Sequence, residues 1–453
     1  MALKIPGITV RVVTDTGIIA PPAFQRYPTY IGAGDPYRRY TNQKILRGAG
    51  NTDLLPSPTT VHTIEAAGDL PGIANYSLTT DYTLNGNSID WTGGSDTPTL
   101  GDYYYVTFTD SRPASAYTPT LYFDENLIYV DHGNRVRVDG TINDVSTAGW
   151  LGINAGAKGV IICQLDLTSA ADPENPTPSE LETAFIAMRD ELEKIVDYKL
   201  YLVPMSSGTL NTTSAANIYF NHAVLASEPE QKQERTVFAA LPIGTSAVQA
   251  VAFSQAYSHE RMSVPFPFNG ESGIVGDATV YDSRFYVAGL VGKLASVAIG
   301  INISDEIIPN VTVSDSFTLN ECNYLVQGGV GPAKLRGDVV RNVFIGTSDT
   351  TNALTEDLGV QDVKDYTKKY WREGLWDLYR NKPITSGLIA SVYGSSTSIM
   401  ENLISRNIIA EYRNISISQD ITEPRQLNVT GSVKPAFGVQ WMDITFTFVL
   451  NFS

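Results

Sequence analysis

Two cysteines and four histidines in 453 residues leave this chain few groups with which to bind a metal or staple a fold. Cys163 and Cys322 stand far apart in apolar or mixed segments and read as buried free thiols, the usage of a reducing compartment. His62, His132, His222 and His259 show no ligand spacing, and there is no CxxC or HExxH, so neither a metal nor another cofactor is expected. Equally missing are a Walker loop, a full dinucleotide fingerprint and a GxSxG elbow. The glycine-rich stretches GAGDP (32–36) and GGVGPAKLRG (328–337) read as turns, as does the DHGN that carries Asp131 and His132. Catalysis is therefore not expected. No apolar run approaches the ~18 residues of a membrane span, and MALKIPGITV has no secretory apolar core. Basic residues are the minority: 32 Lys and Arg face 48 Asp and Glu, a net charge of −16 that argues against nucleic acid or an anionic membrane as partner.

What is present in quantity is aromatic and β-prone. The 24 tyrosines and 16 phenylalanines, among many Thr and Val, point to substantial sheet content, and the length suits about three domains. Residues 1–22 read as an arm with a linker: GITVRVV is β-prone, and Thr14 to Pro22 is broken by Gly and Pro. Residues 23–150 read as a β-rich outer domain, a sandwich or barrel with turns at Asn85-Gly86 and Gly93-Gly94 and a core of Trp91, Tyr103, Tyr105 and Phe108. Residues 151–320 alternate strand and helix, as a central α/β sheet does. KGVIICQLDL is apolar throughout, the pattern of a strand covered on both faces, and Thr177, Pro178 and Glu180 set a capping box ahead of a helix. Residues 321–453 read as an α+β domain, with a long helix near Val360 to Asn381, a second near Gly387 to Ile408, and three strands. The expected class is thus a multidomain α/β and α+β protein with extended β-arms at both ends.

The last of those strands, within 439–453, is the strangest. In DITFTFVLNF the side chains Ile444, Phe446, Phe448 and Leu450 fall on one face. Burying them does not by itself outweigh the cost of ordering ten backbone units, so the strand needs a prepared sheet edge. Ile8, Val10 and Val12 make a similar short face near the start. Two readings are open: both ends pair inside their own monomer, or they are exchanged between copies of a self-assembling subunit.

The order of several stretches resembles the sheath proteins of contractile phage tails and related injection machines. IPGITVRVV is similar to that family's N-terminal arm, and DYTLNGNSIDWTGGSDTPTLGDYYYVTFTD to the β-domain that decorates many sheaths. DSRFYVAGLVGKLA looks like its small-residue helix, and KPITSGLIASVYG with QLNVTGSVKPAFGVQWMDITFTF like its C-terminal domain. The helix TKKYWREGLWDLYR departs from the Arg-Arg run often found there.

The resemblance implies a structural subunit that polymerises helically around an inner tail tube protein, meets baseplate and tail terminator proteins, and contracts to drive the tube through an envelope. It implies a place in the virion tail, with assembly in the host cytoplasm. Carried over, Ile8, Val10, Val12, Ile444, Phe446, Phe448 and Leu450 are the strand arms that join a neighbour's sheet, and linkers at Thr14 to Pro22 and Asp420 to Gln426 absorb the movement. Lys364, Lys368, Lys369 and Arg372 on the long helix are the candidate tube contact, with an ordinary solvated face as the other reading. Another virion or baseplate component, a surface adhesin and an unrecognised α/β enzyme are the alternatives.

Overall fold

The computed structural model describes residues 25–436 apart from 58, 138–139, 197, 207–208, 228–232, 302, 352–356 and 423–425, together with one small antiparallel pair, β1 (Lys4–Ile5) with β2 (Ile8–Thr9). The strand β3 (Arg26–Gly32) is buried along its whole length. It lies inside the largest sheet, so residues expected to open an outer domain belong to the central one. The outer unit starts later. β4 (Tyr37–Leu46), β5 (Thr52–Leu54), β6 (Val61–Gly68), β7 (Thr83–Asn85), β8 (Ser88–Asp90) and β9 (Tyr103–Ser111) form two antiparallel three-stranded sheets, β4-β9-β6 and β5-β8-β7. Trp91 sits at their centre between Tyr76, Tyr82 and Tyr104, and its indole N–H donates to buried Asp53 at 2.9 Å. On β9 the inward residues are Tyr104, Val106 and Phe108, while Tyr103 is exposed and Tyr105 half-buried. Strand alternation explains the difference from the sequence expectation, which had combined odd positions with an even one.

After β9 the chain returns through β10 (Thr120–Tyr122), α1 (Glu125–His132), α2 (Asp144–Asn154), β11 (Val160–Gln164), α3 (Pro178–Leu192), β12 (Lys199–Met205), α4 (Thr209–Ala226), β13 (Arg235–Phe238), α5 (Ala247–Tyr257) and β14 (Met262–Phe266). A small sheet of β15 (Glu271–Ile274), β16 (Tyr281–Asp282) and β17 (Val311–Thr312) packs beside α6 (Arg284–Ser296). The chain continues with α7 (Leu319–Gln327), β18 (Val330–Arg336), β19 (Val339–Asn342), α8 (Leu358–Tyr379), α9 (Ser386–Ser405), β20 (Ile409–Gln419) and β21 (Leu427–Pro435). GGVGPAKLRG is a turn only at its ends: Gly328 and Gly329 follow α7, Gly337 turns the chain from β18 to β19, and the residues between them are strand β18.

The main sheet runs β10-β11-β3-β12-β13-β14-β18-β19; its six inner strands are parallel and the two edge strands antiparallel. β11 and β12 are buried at every position because helices cover both faces. One face packs on α2 and α6, the other on α3, α4, α5 and α7. α2 and α6 approach closely at Gly152 and Gly292, where a Cβ on Gly292 would lie 2.6 Å from the Gly152 Cα. The capping box of Thr177 and Glu180 forms at the start of α3 as its sequence requires.

The outer unit is rooted by buried polar groups. Arg112 donates from Nη1 to the Asp131 carbonyl at 2.6 Å and from Nη2 to that of Tyr37 at 3.1 Å. Gln164 Nε2 donates to the Asp35 carbonyl at 3.0 Å, while its Oε1 lies 2.8 Å from His132 Nδ1. His132 closes the last turn of α1, so only Gly133 and the residues after it make the turn read from DHGN. Burial first, with Arg112 nearby, holds this imidazole neutral by lowering its pKa to about 4.

Candidate assembly interface

The C-terminal part of the chain builds a surface of unusual economy. β20 and β21 form a two-stranded antiparallel sheet, and among the described residues neither strand has a further neighbour. Most of their side chains are half-buried or exposed. A two-stranded sheet is marginal alone and needs a helix beneath it. That support comes from α8 and α9, through Tyr366, Tyr370, Ile399, Met400 and Leu403, which pack with Ile408 and Ile409 at the root of β20. Trp371 fixes the joint: its indole N–H donates to Ser396 Oγ at 2.9 Å, and its ring lies against Gly431 of β21. The register is broken between Ile409 and Glu411 and between Arg413 and Ser416, and Asn414 has φ +55. Such bulges twist a strand and confine lateral pairing to the regular stretches on either side.

The same α8 is tied to the main sheet by a buried ionic cluster. Lys199, at the start of β12, places Nζ 2.6 Å from both Asp362 Oδ1 and Asp365 Oδ2. Arg261 embraces Asp365 with two bonds of 2.6 and 2.9 Å, and Arg26 donates to Asp362 at 2.7 Å. The Tyr201 hydroxyl also donates to Asp362. Burial alone would raise both carboxyls, but Lys199 with Arg26 holds Asp362 below its usual range, and Lys199 with Arg261 does the same for Asp365. Asp362 and Asp365 stand one helical turn apart on the same face, so both meet the sheet. Sequence reasoning missed the cluster because its partners on β3, β12 and the β14 approach are more than 100 residues away. The available signal was two aspartates at i and i+3, on one face of the long helix. Among the described residues no group of His, Cys, Asp and Glu is placed to hold a metal ion, and no helix is long and apolar enough to cross a membrane.

No family model matches the sequence, and no curated protein does. Solved structures do. A chain from the anti-feeding prophage (AFP) baseplate is 12% identical with a TM-score of 0.55, over 74% of this chain and 89% of that one. A chain from the sheath complex of the PVC extracellular contractile injection system, in the contracted state, is 10% identical with a TM-score of 0.52, over 74% and 87%. The fold is that of a contractile sheath protein. The sheath tail protein Lin1278 from Listeria innocua is also similar, at 9% identity and a TM-score of 0.49, over 92% and 93%.

On this sheath fold the arm residues are only partly placed. Ile8 lies in β2; Val10, Val12, Ile444, Phe446, Phe448 and Leu450 lie outside the described residues, as does the stretch from Thr14 to Pro22. Asp420 to Gln426 is the connection between β20 and β21, closed by the Asp420 N–H donating to the Gln426 carbonyl at 2.9 Å. It thus joins the two strands of one hairpin. The four basic residues of α8 do not form one exposed strip. Lys369 is buried and pairs with Glu373 at 3.6 Å; Arg372 is half-buried and bonds Glu234 at 3.1 Å; Lys364 is half-buried against Glu260; Lys368 is exposed.

Proposed function

We propose that this chain is a tail sheath subunit: copies polymerise helically around an inner tube and contract to drive it through a target envelope. One observation carries the reading, the two-stranded β20–β21 sheet whose outer edges lack partners among the described residues on a chain with the sheath fold. Such edges accept extended segments by strand addition, with main-chain bonds giving affinity and alternate side chains giving register. The segments proposed to fill them are the arm with Ile8, Val10 and Val12 from one copy and that with Ile444, Phe446, Phe448 and Leu450 from another. A strand arm that satisfies a neighbour's edge also removes an aggregation hazard from both molecules.

The domain scheme proposed for this role places 1–22 and 439–453 as arms, the β-rich unit outside, and the main sheet with the C-terminal unit inside. For the tube contact the proposal keeps the basic side of α8, with Lys368 presented and Lys364, Lys369 and Arg372 held by Glu260, Glu373 and Glu234. Baseplate and tail terminator proteins are the proposed end partners. A second reading, a baseplate subunit of sheath fold, is favoured by the AFP neighbour, whose structure is of a baseplate.

Negative-stain electron microscopy of the full chain beside a version ending at Met442 tests the proposal. Tubes or long helical stacks from the full chain, absent from the truncation, are the expected result. Single rings that never stack favour the baseplate reading. Globular particles from both, even with the tube protein supplied, overturn the sheath reading.

A further inference from the structure

Beside Ala436, the last described residue, lies a groove of about 670 Å³ between the main sheet and the C-terminal unit, lined by Gln25, Tyr27, Phe123, Lys158, Ile299 and Ile408 among others. The described chain leaves at its wall: the Ala436 N–H donates to the Ile408 carbonyl at 3.1 Å. The groove opens past Phe123, which is 65% exposed, onto α1, where Leu127 (54%) and Val130 (68%) are also exposed. Leu127 and Val130 are three apart on α1 and so share one face as an apolar stripe, and Phe123 lies just before the helix's N-cap, Asp124. On the opposite face Ile128 is fully buried, so the helix is apolar on both sides and the outer side has no cover among the described residues.

We propose that in the unassembled monomer this groove and stripe hold residues 437–453 of the same chain. The segment, FGVQWMDITFTFVLNFS, carries five aromatic residues, Phe437, Trp441, Phe446, Phe448 and Phe452. Its length suits the path: 17 residues reach roughly 56–61 Å when fully extended, far beyond the single turn of α1 between Leu127 and Val130. Charge selects it over the other end. The groove is rimmed by Lys158 and Arg406, and 437–453 carries one acid, Asp443, and no base, whereas 1–24 carries Lys4 and Arg11 against Asp15. Held there, the apolar strand is hidden from water and from other copies until a neighbour's sheet edge competes for it.

The inference concerns the isolated subunit and does not rest on the sheath reading. The test pairs Leu127→Cys with Phe448→Cys in the full chain, where the natural Cys163 and Cys322 are buried. The dilute monomer is mildly oxidised and run on a non-reducing gel. The expected result is a disulfide within one chain, independent of protein concentration, and at least about tenfold more abundant than in a control pair, Leu225→Cys with Phe448→Cys. A disulfide between chains, or a yield equal to the control, overturns the proposal. Without any cysteine, removal of 437–453 should speed hydrogen exchange in 123–132; unchanged exchange there also overturns it. Tube formation by the full chain without the 127–448 disulfide would sink the monomer state alone and leave the sheath role standing.

Discussion

Lys199 is a lysine with no exposed side-chain surface, and it survives in the core because two carboxylates meet it at 2.6 Å. Replacing it with methionine would leave Asp362 and Asp365 against Arg26 and Arg261 with one cation fewer. Breaking a buried set of this kind costs about 3–5 kcal/mol, since the remaining charges keep their desolvation penalty. Lys199→Met should therefore shift the urea midpoint sharply down, while removal of the exposed Arg189–Asp190 pair should move it hardly at all. Two histidines contribute to the loss of stability in acid. Burial, with cations nearby, lowers both His132 and His222 to about 4, so the folded state favours their neutral forms. Their contribution is complete above the ordinary value of about 6.5 and is lost as pH falls from there toward 4, up to about 3 kcal/mol for each. Unfolding free energies at pH 7 and pH 4.5 check this: His132→Asn should flatten the drop, even though it lowers stability at pH 7. On the basic face of α8, Lys368→Glu should weaken assembly on a supplied tube, read by sedimentation, with the monomer's melting temperature little changed.

At the scale of elements the hairpin of β20 and β21 rests on α8 and α9, and one of its contacts is a close approach. A Cβ on Gly431 would lie 2.8 Å from Trp371 Cη2. Gly431→Val should push the hairpin off α8, costing about 1–3 kcal/mol locally. Limited proteolysis should then cut within 409–435 first while the main sheet stays resistant. Local pattern carried much of this architecture into the sequence. β11, β12, the capped α3 and the two long C-terminal helices all stand within a few residues of where periodicity and caps put them, because each is set by neighbours within one or two turns. Topology was less legible. Nothing local in RYPTYIG says that it lies between β11 and β12, strands more than 100 residues later in the chain. Lys364 and Arg372 of α8 read from the sequence as part of a basic strip because Glu260 and Glu234 come near them only in the folded chain.

For the whole molecule the junction of the outer unit decides what that unit is for. The chain leaves the main sheet near Pro36 and returns at Arg112, and the Arg112 N–H points at the Pro36 carbonyl across 3.4 Å. The two crossings are thus neighbours, and the outer sheets have a core of their own around Trp91. A unit built this way adds little to the fold that carries it, because closing a short bridge in its place costs little chain entropy. Arg112 and Tyr37 must stay, since Arg112 satisfies three carbonyls of the root. Excising 38–111 and joining Tyr37 to Arg112 through a few Gly and Ser residues should leave a folded protein with most of its thermal stability. If the outer unit only decorates the sleeve, that variant should also form tubes, narrower in electron micrographs and otherwise of the same helical order. Folded monomers that no longer polymerise would instead place a contact between copies in the outer unit, and the arms alone would not suffice to build the sleeve.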